Sequence, residues 1–468
     1  MISIPQIDRS EKHSIKSVTH FYVKYRLGSA LKRAGVYKCK GVPVATLFQY
    51  LLSLVYTGKS MYEDMRSASP HAQGFCKDTV YRFLNSASVS WQAFLLNVAA
   101  KVIGAIDRLT SDSRRSVFII DDTIYQVPYA KKAELVSRVY DHSEKGKSKY
   151  KWGYRMLTLC WSDGISLIPL AFRHLASADE KHQRTGMRAG LDKRSIAYRV
   201  RKEAVSKATD VLLLQLRAAL KAGIKAKHVL FDTWFSAPAT IKKVFSLGLH
   251  VTARVKDTSK IHYIHQNTRM SAKEIFLANR KRRGRSRYLL SVIVSLPTSD
   301  DDNPAGLPVR LVYVRNRLKR NQWIAILTTE TDLTEEEVIA LYGKRWDIEV
   351  FFKVIKSYLR LTGEFRQLSY DSFVAHTTVV MVRYIILSTE KRMHEDPRSL
   401  GELFFQCFDE LQDLRFEEAL MLLLSILAEL LDDPDPGVDN SHFGILIDNF
   451  LVKLPNHFRA CLLQNHVA

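Results

Sequence analysis

Cysteine is scarce in this 468-residue chain: Cys39, Cys76, Cys160, Cys407 and Cys461 are five in all, odd in number and far apart. That spacing excludes a disulfide framework and a paired-cysteine zinc site, and it fits reduced thiols packed as small hydrophobes. With 20 glycines and 13 prolines, the chain is neither collagen-like nor low-complexity. Long apolar runs are missing too. The longest, Ala419 to Leu431, is interrupted by Ser425 and Glu429 and falls short of the ~20 residues that cross a bilayer, so no transmembrane helix is expected. Met1 to Lys12 lacks the apolar core of a secretory signal, and the protein is expected to stay where it is made. Negative charge is in deficit, with 48 Asp+Glu against 70 Lys+Arg, which leaves +22 at pH 7.

What is present is enough to build cores: 46% of residues are apolar and 25% charged, and at roughly 100–200 residues per domain the length implies two to four domains. The charge is uneven. From Glu395 to Asn440 thirteen acidic residues face two basic ones, so this piece carries −11 and the remainder +33. A basic body of that size suggests a polyanion partner, nucleic acid first and anionic membrane second. A soluble enzyme that happens to be basic is the alternative.

Residues 1–108 read as a helical, DNA-binding domain. Apolar residues recur at helical spacing in Val44 to Tyr56, Val80 to Leu84 and Trp91 to Ile106. Ahead of them the segment from Lys12 to Lys40 interleaves cations with Tyr22, Tyr25 and Tyr37, a composition suited to phosphate contacts or to a solvated helix face. From Ser116 the pattern turns to strands: Val117 to Ile120, then Tyr154 to Trp161 and Ile165 to Phe172 joined by the turn signal Ser162-Asp163-Gly164. A helix to about Ala222, stopped by Gly223, leads to strand His228 to Phe231, helix Pro238 to Leu247 and strand His250 to Val255. Three strands, helix, strand, helix, strand is the order of an RNase H-like α/β core. The expected division is therefore a catalytic core over 109–256, a β-rich insertion over 257–333, a closing helix over 334–365 capped by Thr334, and a helical domain over 366–468. The insertion carries six cations between Arg280 and Arg287, a solvated loop or a clamp on a phosphate backbone.

Asp121 and Asp232 each follow a short apolar strand, and Glu349 lies in the closing helix. A carboxylate at a strand end is rigid and faces the cleft where α/β sheets place their sites. Three such groups can hold Mg²⁺, an ion that prefers oxygen ligands and keeps positions open for water and phosphate. On a continuous helix Tyr342, Arg345, Glu349 and Lys356 share one face, which sets a carboxylate among cations. Other motifs fail. Gly146-Lys147-Ser148 ends like a phosphate-binding loop, but Asp141 stands where its first glycine belongs. His262 and His265 sit on opposite faces of a strand-like segment and make no zinc pair.

The spacing Tyr342, Arg345, Glu349, Lys356 resembles the YREK signature of DDE transposases of the insertion sequence four family. Ile120-Asp121-Asp122-Thr123 is similar to that family's first Asp-x-Thr, with Asp121 preferred over Asp122 because it keeps the spacing to Thr123. Leu230-Phe231-Asp232-Thr233-Trp234-Phe235 resembles the second, an aspartate followed by an aromatic pair. The resemblance covers about 110–365. It implies a cut-and-paste recombinase with Asp121, Asp232 and Glu349 as catalytic ligands of two Mg²⁺ ions, Mn²⁺ substituting. Arg345, Lys356 and Tyr342 would contact the DNA end, and Trp323 would stack on a flipped base or else belong to the core. It further implies double-stranded DNA partners (terminal repeats and target), a homodimer on DNA, no membrane, and a bacterial cytoplasm with nucleoid association. A binding protein without catalysis and a nuclease of the same fold are the rivals. The acidic 395–440 piece reads as a dimerisation surface or as a lid over the basic groove.

Overall fold

A computed structural model of the chain describes residues 13–37, 40–67, 75–109, 114–141, 149–282, 286–297, 306–316 and 322–393. The acidic piece 395–440, the Gly146 to Ser148 tripeptide and the middle of the 280–287 cationic run lie outside these residues. Six helices come first: α1 (His13–Lys24), α2 (Leu27–Arg33), α3 (Val44–Ser53), α4 (Met61–Ser67), α5 (Lys77–Leu84) and α6 (Trp91–Asp107). In α6 Trp91, Phe94, Leu95, Val98, Val102 and Ile106 recur at three- and four-residue steps and are all buried, and the Ser90 hydroxyl accepts from the Ala93 N–H to cap the first turn. Within the basic, tyrosine-bearing segment, residues 13–24 and 27–33 are α1 and α2, with Tyr25 buried and Tyr37 exposed.

The strands are β1 (Val117–Gln126), β2 (Ser137–Tyr140), β3 (Tyr150–Ser162), β4 (Leu167–Leu175), β5 (His228–Phe231), β6 (His250–Arg254), β7 (His262–His265), β8 (Thr268–Ser271), β9 (Leu290–Leu296), β10 (Leu307–Arg315) and β11 (Trp323–Thr328). Helices α7 (Ile196–Ala204), α8 (Ala208–Lys221), α9 (Pro238–Phe245) and α10 (Ala272–Ala278) lie between them, and α11 (Glu335–Gly343), α12 (Trp346–Ser357) and α13 (Tyr370–Met393) follow. Within the mixed, mostly antiparallel sheet the order β4-β3-β1-β5-β6 has antiparallel β3–β4 and β1–β3 pairs and parallel β1–β5 and β5–β6 pairs. This is consistent with the RNase H-like order expected from the sequence. The strands of the 257–333 segment extend the same sheet, because β11 pairs with β6 and passes the ladder on through β10, β9, β7 and β8.

The β3–β4 turn is the one signalled by Ser162-Asp163-Gly164. Gly164 takes φ +92°, and the Asp163 carboxylate accepts from the N–H groups of Ile165 and Ser166. Gly153 has a different reason to be glycine: a Cβ there would meet the Tyr125 carbonyl oxygen of β1 at 2.0 Å. Two long helices expected from periodicity are each broken. The first splits into α7 and α8 at Val205 to Lys207, where the Ser206 hydroxyl donates to the Lys202 carbonyl. The second splits into α11 and α12. Thr334 does cap α11, in a reciprocal box with Glu337. At its other end Gly343, a poor helix former, precedes a tight turn in which Arg345 N–H donates to Tyr342 and Asp347 N–H to Lys344.

Helix α13 is the centre of the molecule. Its most apolar 18-residue window has mean hydropathy 1.3, long and apolar enough to cross a membrane by composition, yet all of it is buried. It packs on α6, α3, α5 and β4. Its polar groups are paired inside: Arg383 donates to both oxygens of Glu364 at 2.8 and 2.9 Å and to the Leu51 and Leu52 carbonyls at the end of α3, while His376 Nε2 lies 2.9 Å from Glu364. Asp371 at its start shares the fully buried Arg201 of α7 with Glu134. These bonds fasten α3 and α7 to one helix.

Candidate active site

Strands β1, β5 and β6 run parallel, and their ladder ends on one row, Ile120 beside Phe231 and Phe231 beside Ala253. The next residues along the three strands are Asp121, Asp232 and Arg254. Paired residues of neighbouring parallel strands face the same way at ~4.8 Å spacing, so two carboxylates and a cation are brought to one edge. Asp121 is not the end of its strand, as the sequence reading had it. Strand β1 continues to Gln126 because the 13-residue β3 pairs with it through Gly153.

Alternation along β1 sends Asp121 and Asp122 to opposite faces. The Asp121 carboxylate accepts from Arg345 Nη1 at 2.8 Å and from the Asp122 backbone N–H at 2.8 Å. The other nitrogen, Arg345 Nη2, donates to Glu349. One guanidinium thus joins the strand carboxylate to the helix carboxylate. Asp122 is instead engaged by Nε and Nη2 of Arg155 from β3. Thr123, on the Asp121 face, accepts from Lys356 Nζ. Arg345 precedes α12 and Lys356 is in its last turn, so α12 lies along this face of β1 and its cations meet alternate β1 side chains. Tyr342, at the end of α11, has its ring centroid 6.0 Å from the Arg345 guanidinium carbon. Trp323, at the start of β11, is partly buried against Phe276 and Tyr313, with ring centroids 5.2 and 5.0 Å away.

Burial, more than charge crowding, shows in the titration of this edge. Burial, opposed by Arg345 and the Asp122 N–H and reinforced by the charges of Asp122 and Asp232, pushes the Asp121 carboxyl up to about 7. Burial also raises the Tyr342 phenol to about 12, and it lowers the Lys356 ammonium from its ordinary value. A desolvated group surrounded by carboxylates is relieved by a cation, and here Arg345 supplies one. Among the described residues no three His, Cys, Asp or Glu side chains are close enough to enclose a metal ion. In kind, however, the donors at this edge suit a hard divalent ion: they are carboxylate oxygens, with no sulfur or imidazole.

Two neighbours were missed in the sequence. Arg254 ends the third parallel strand as Asp121 and Asp232 follow the first two, a signal available only once the strand ends are levelled. Arg155 gave no periodic signal, and its place beside Asp122 depends on strand order. A cavity of about 510 Å³ among the amino-terminal helices, lined by Val36, Leu47 and Phe83 with Lys40 and Arg82 at its side, takes no wall from the carboxylates.

Carboxylates from β1 and α12, with Asp232 after β5, thus share one edge of a mixed α/β sheet with several cations. The chain belongs to the DDE superfamily endonuclease family, whose model matches residues 47–321, more than half of the chain. Its function is accordingly that of a transposase or nuclease acting on DNA, and enzymes of this superfamily typically use divalent metals. The matched span contains Asp121 and Asp232 and ends before α11 and α12. No curated protein matches the chain.

Proposed function

We propose that the protein is a DNA transposase of the insertion sequence four type, which cleaves the ends of a mobile element and joins them to target DNA. The observation that carries this reading is the single Arg345 guanidinium joined to both Asp121 and Glu349, with Asp232 directly after the adjacent strand. It supports reading the helix signature and the strand aspartates as one site. In this reading Asp121, Asp232 and Glu349 would hold two Mg²⁺ or Mn²⁺ ions, which when bound supply Lewis-acid stabilisation of the attacking and leaving oxygens at phosphorus. Arg345, once it releases a carboxylate, turns toward the phosphate that takes its place. Lys356 and Tyr342 hold the strand on either side, and Arg254 offers a further cation at the same edge. Two ends must be brought together for joining, so a homodimer on DNA is part of the proposal.

The test is incubation of the full chain with Mg²⁺, DNA carrying the element's terminal repeats and a supercoiled target. Joined products are expected. Asp121→Ala, Asp232→Ala and Glu349→Ala should each abolish cleavage while DNA binding persists. Cleavage without joining identifies a nuclease of the same fold, and DNA binding without cleavage in the unaltered protein overturns the catalytic reading.

A further inference from the structure

The far end of β3 carries a basic surface on the same face of the sheet as Asp121. Asp121 pairs with Thr158, and alternation from there turns Met156, Tyr154, Trp152 and Tyr150 toward that face. On β2 the register partners of Trp152 and Tyr150 are Arg138 and Tyr140. Side chains directly opposite in an antiparallel pair share a face, so the β2–β3 ribbon presents these four together. The Tyr140 and Tyr150 rings meet edge-on with centroids 5.4 Å apart. The Arg138 guanidinium carbon lies 5.1 Å from the Tyr150 centroid, and that of Arg184, from the segment after β4, lies 4.5 Å from the Trp152 centroid. Arg184 is fixed in place: its N–H donates to the Val136 carbonyl at 2.8 Å, the Leu135 N–H donates to the Thr185 carbonyl at 2.8 Å, and Arg184 Nη2 donates to the Pro128 carbonyl at 2.9 Å.

Neither guanidinium has a carboxylate partner among the described residues. Elsewhere on this sheet arginines are neutralised, as Arg155 is by Asp122 and Arg201 by Glu134 and Asp371. A guanidinium laid on an aromatic ring loses rotamer freedom, and its N–H edge stays available for a second, bidentate partner such as phosphate. Because the cations cover the rings, this surface takes phosphates and not stacked bases. Its place on the sheet selects the polyanion. Trp152 is six residues along β3 from Thr158, a rise of at most about 20 Å, and that length of duplex axis is about six base pairs. A duplex that meets Asp121 on this face is long enough to reach the ribbon. Resting on the DNA-cleaving reading above, we infer that the β2–β3 ribbon is a backbone anchor, with Arg138 and Arg184 holding duplex phosphates within about six base pairs of the cleavage point.

The test measures affinity of the full chain, in EDTA to prevent cleavage, for duplex DNA carrying the element's terminal repeat over a range of salt concentrations. Arg138→Gln with Arg184→Gln should weaken binding about tenfold or more and should shallow the slope of log affinity against log salt by about 1.8, the value for two phosphate contacts. Hydroxyl-radical protection should be lost within about six base pairs of the cleavage point and kept elsewhere. Arg138→Gln alone, which removes no hydrogen bond within the fold, should give about half the change in slope and carries the test if the double variant unfolds. Arg138→Lys with Arg184→Lys keeps both charges and should retain the slope. Arg217→Gln with Lys221→Gln, two exposed cations of α8, controls for net charge and should leave the slope unchanged. A slope unaltered by the ribbon variants, or shallowed equally by the α8 pair, overturns the anchor and leaves the DNA-cleaving reading standing. Failure of the unaltered protein to bind the DNA overturns that reading and the anchor with it.

Discussion

Asp121 and Asp122 are adjacent in the chain and differ in what they meet. Asp121 faces Arg345, Asp232 and the α12 cations, whereas Asp122 is engaged by Arg155 on the opposite face of β1. If Asp121 is the metal ligand, Asp121→Asn should lower DNA cleavage by more than about 100-fold, beyond the 10–100-fold typical of outer-shell partners of a metal. Asp122→Asn should stay within that smaller range, because it acts only by loosening Arg155. Steady-state cleavage of labelled DNA separates the two, and a reversed ranking would move the assignment to Asp122. The sequence preferred Asp121 for its Asp-x-Thr spacing, and the alternation of a strand that continues past both residues gives the two carboxylates different neighbours. The Asp-x-Thr spacing acquires a physical reading at the same time: a two-residue step returns to one face, so Thr123 meets Lys356 where Asp121 meets Arg345.

Among the elements, α13 has the largest structural consequence. Glu364 has no access to solvent and is held by Arg383 and His376; burial would raise its carboxyl, but the Arg383 charge and the His376 hydrogen bond hold it below its ordinary value. Glu364→Gln removes the charge that balances the buried Arg383 and should cost about 3–5 kcal/mol in urea unfolding, as for other broken buried pairs. Replacing Glu364 and Arg383 together with apolar residues of similar volume should recover most of it. A single-variant cost below about 1 kcal/mol would falsify the view that this pair fastens α3 to α13. The helix breaks have a related cause. Periodicity detects an apolar stripe but not a tight turn that keeps helical backbone angles, which is why α11 and α12 read as one helix. The Arg345 to Glu349 contact survives the break because both residues lie on the α12 side of it.

For the whole molecule, buried ionisable groups set the response to acid. Burial, with the nearby Arg173 charge, lowers His174 to about 3, and burial lowers His376 despite its bond to Glu364. Arg201 and the Tyr370 and Arg188 N–H groups hold Glu134 below its ordinary value against the effect of burial. In each case the unfolded chain takes up a proton at a higher pH than the folded one. Their stabilisation is complete above about pH 6.5 and is lost as pH falls, first through the histidines and below about 4.5 through the carboxylates. These groups should lower the melting temperature from pH 7 to pH 4, against the opposite trend of Asp121, whose raised carboxyl favours the fold as pH falls, and His376→Gln should flatten the upper part of their slope. An unchanged slope in the variant would exclude His376 as a contributor.

The linear order of residues determined the composition of this protein and much of its secondary structure. The +22 charge, the turn at Gly164, the cap at Thr334, and the strands β5 and β11 at their full extents all depend on residues within a few positions of one another. The spacing of Tyr342, Arg345, Glu349 and Lys356 is equally a local property. Tertiary structure decided what those residues face. The parallel pairing of β1, β5 and β6 levels Asp121, Asp232 and Arg254 across more than a hundred residues, and the packing of α12 on β1 gives Arg345 to two carboxylates at once. It also buries an apolar 24-residue helix as the common core of the amino-terminal helices and the sheet. Propensity and periodicity act over a turn or a strand, whereas register and burial are settled only when segments far apart in the chain meet.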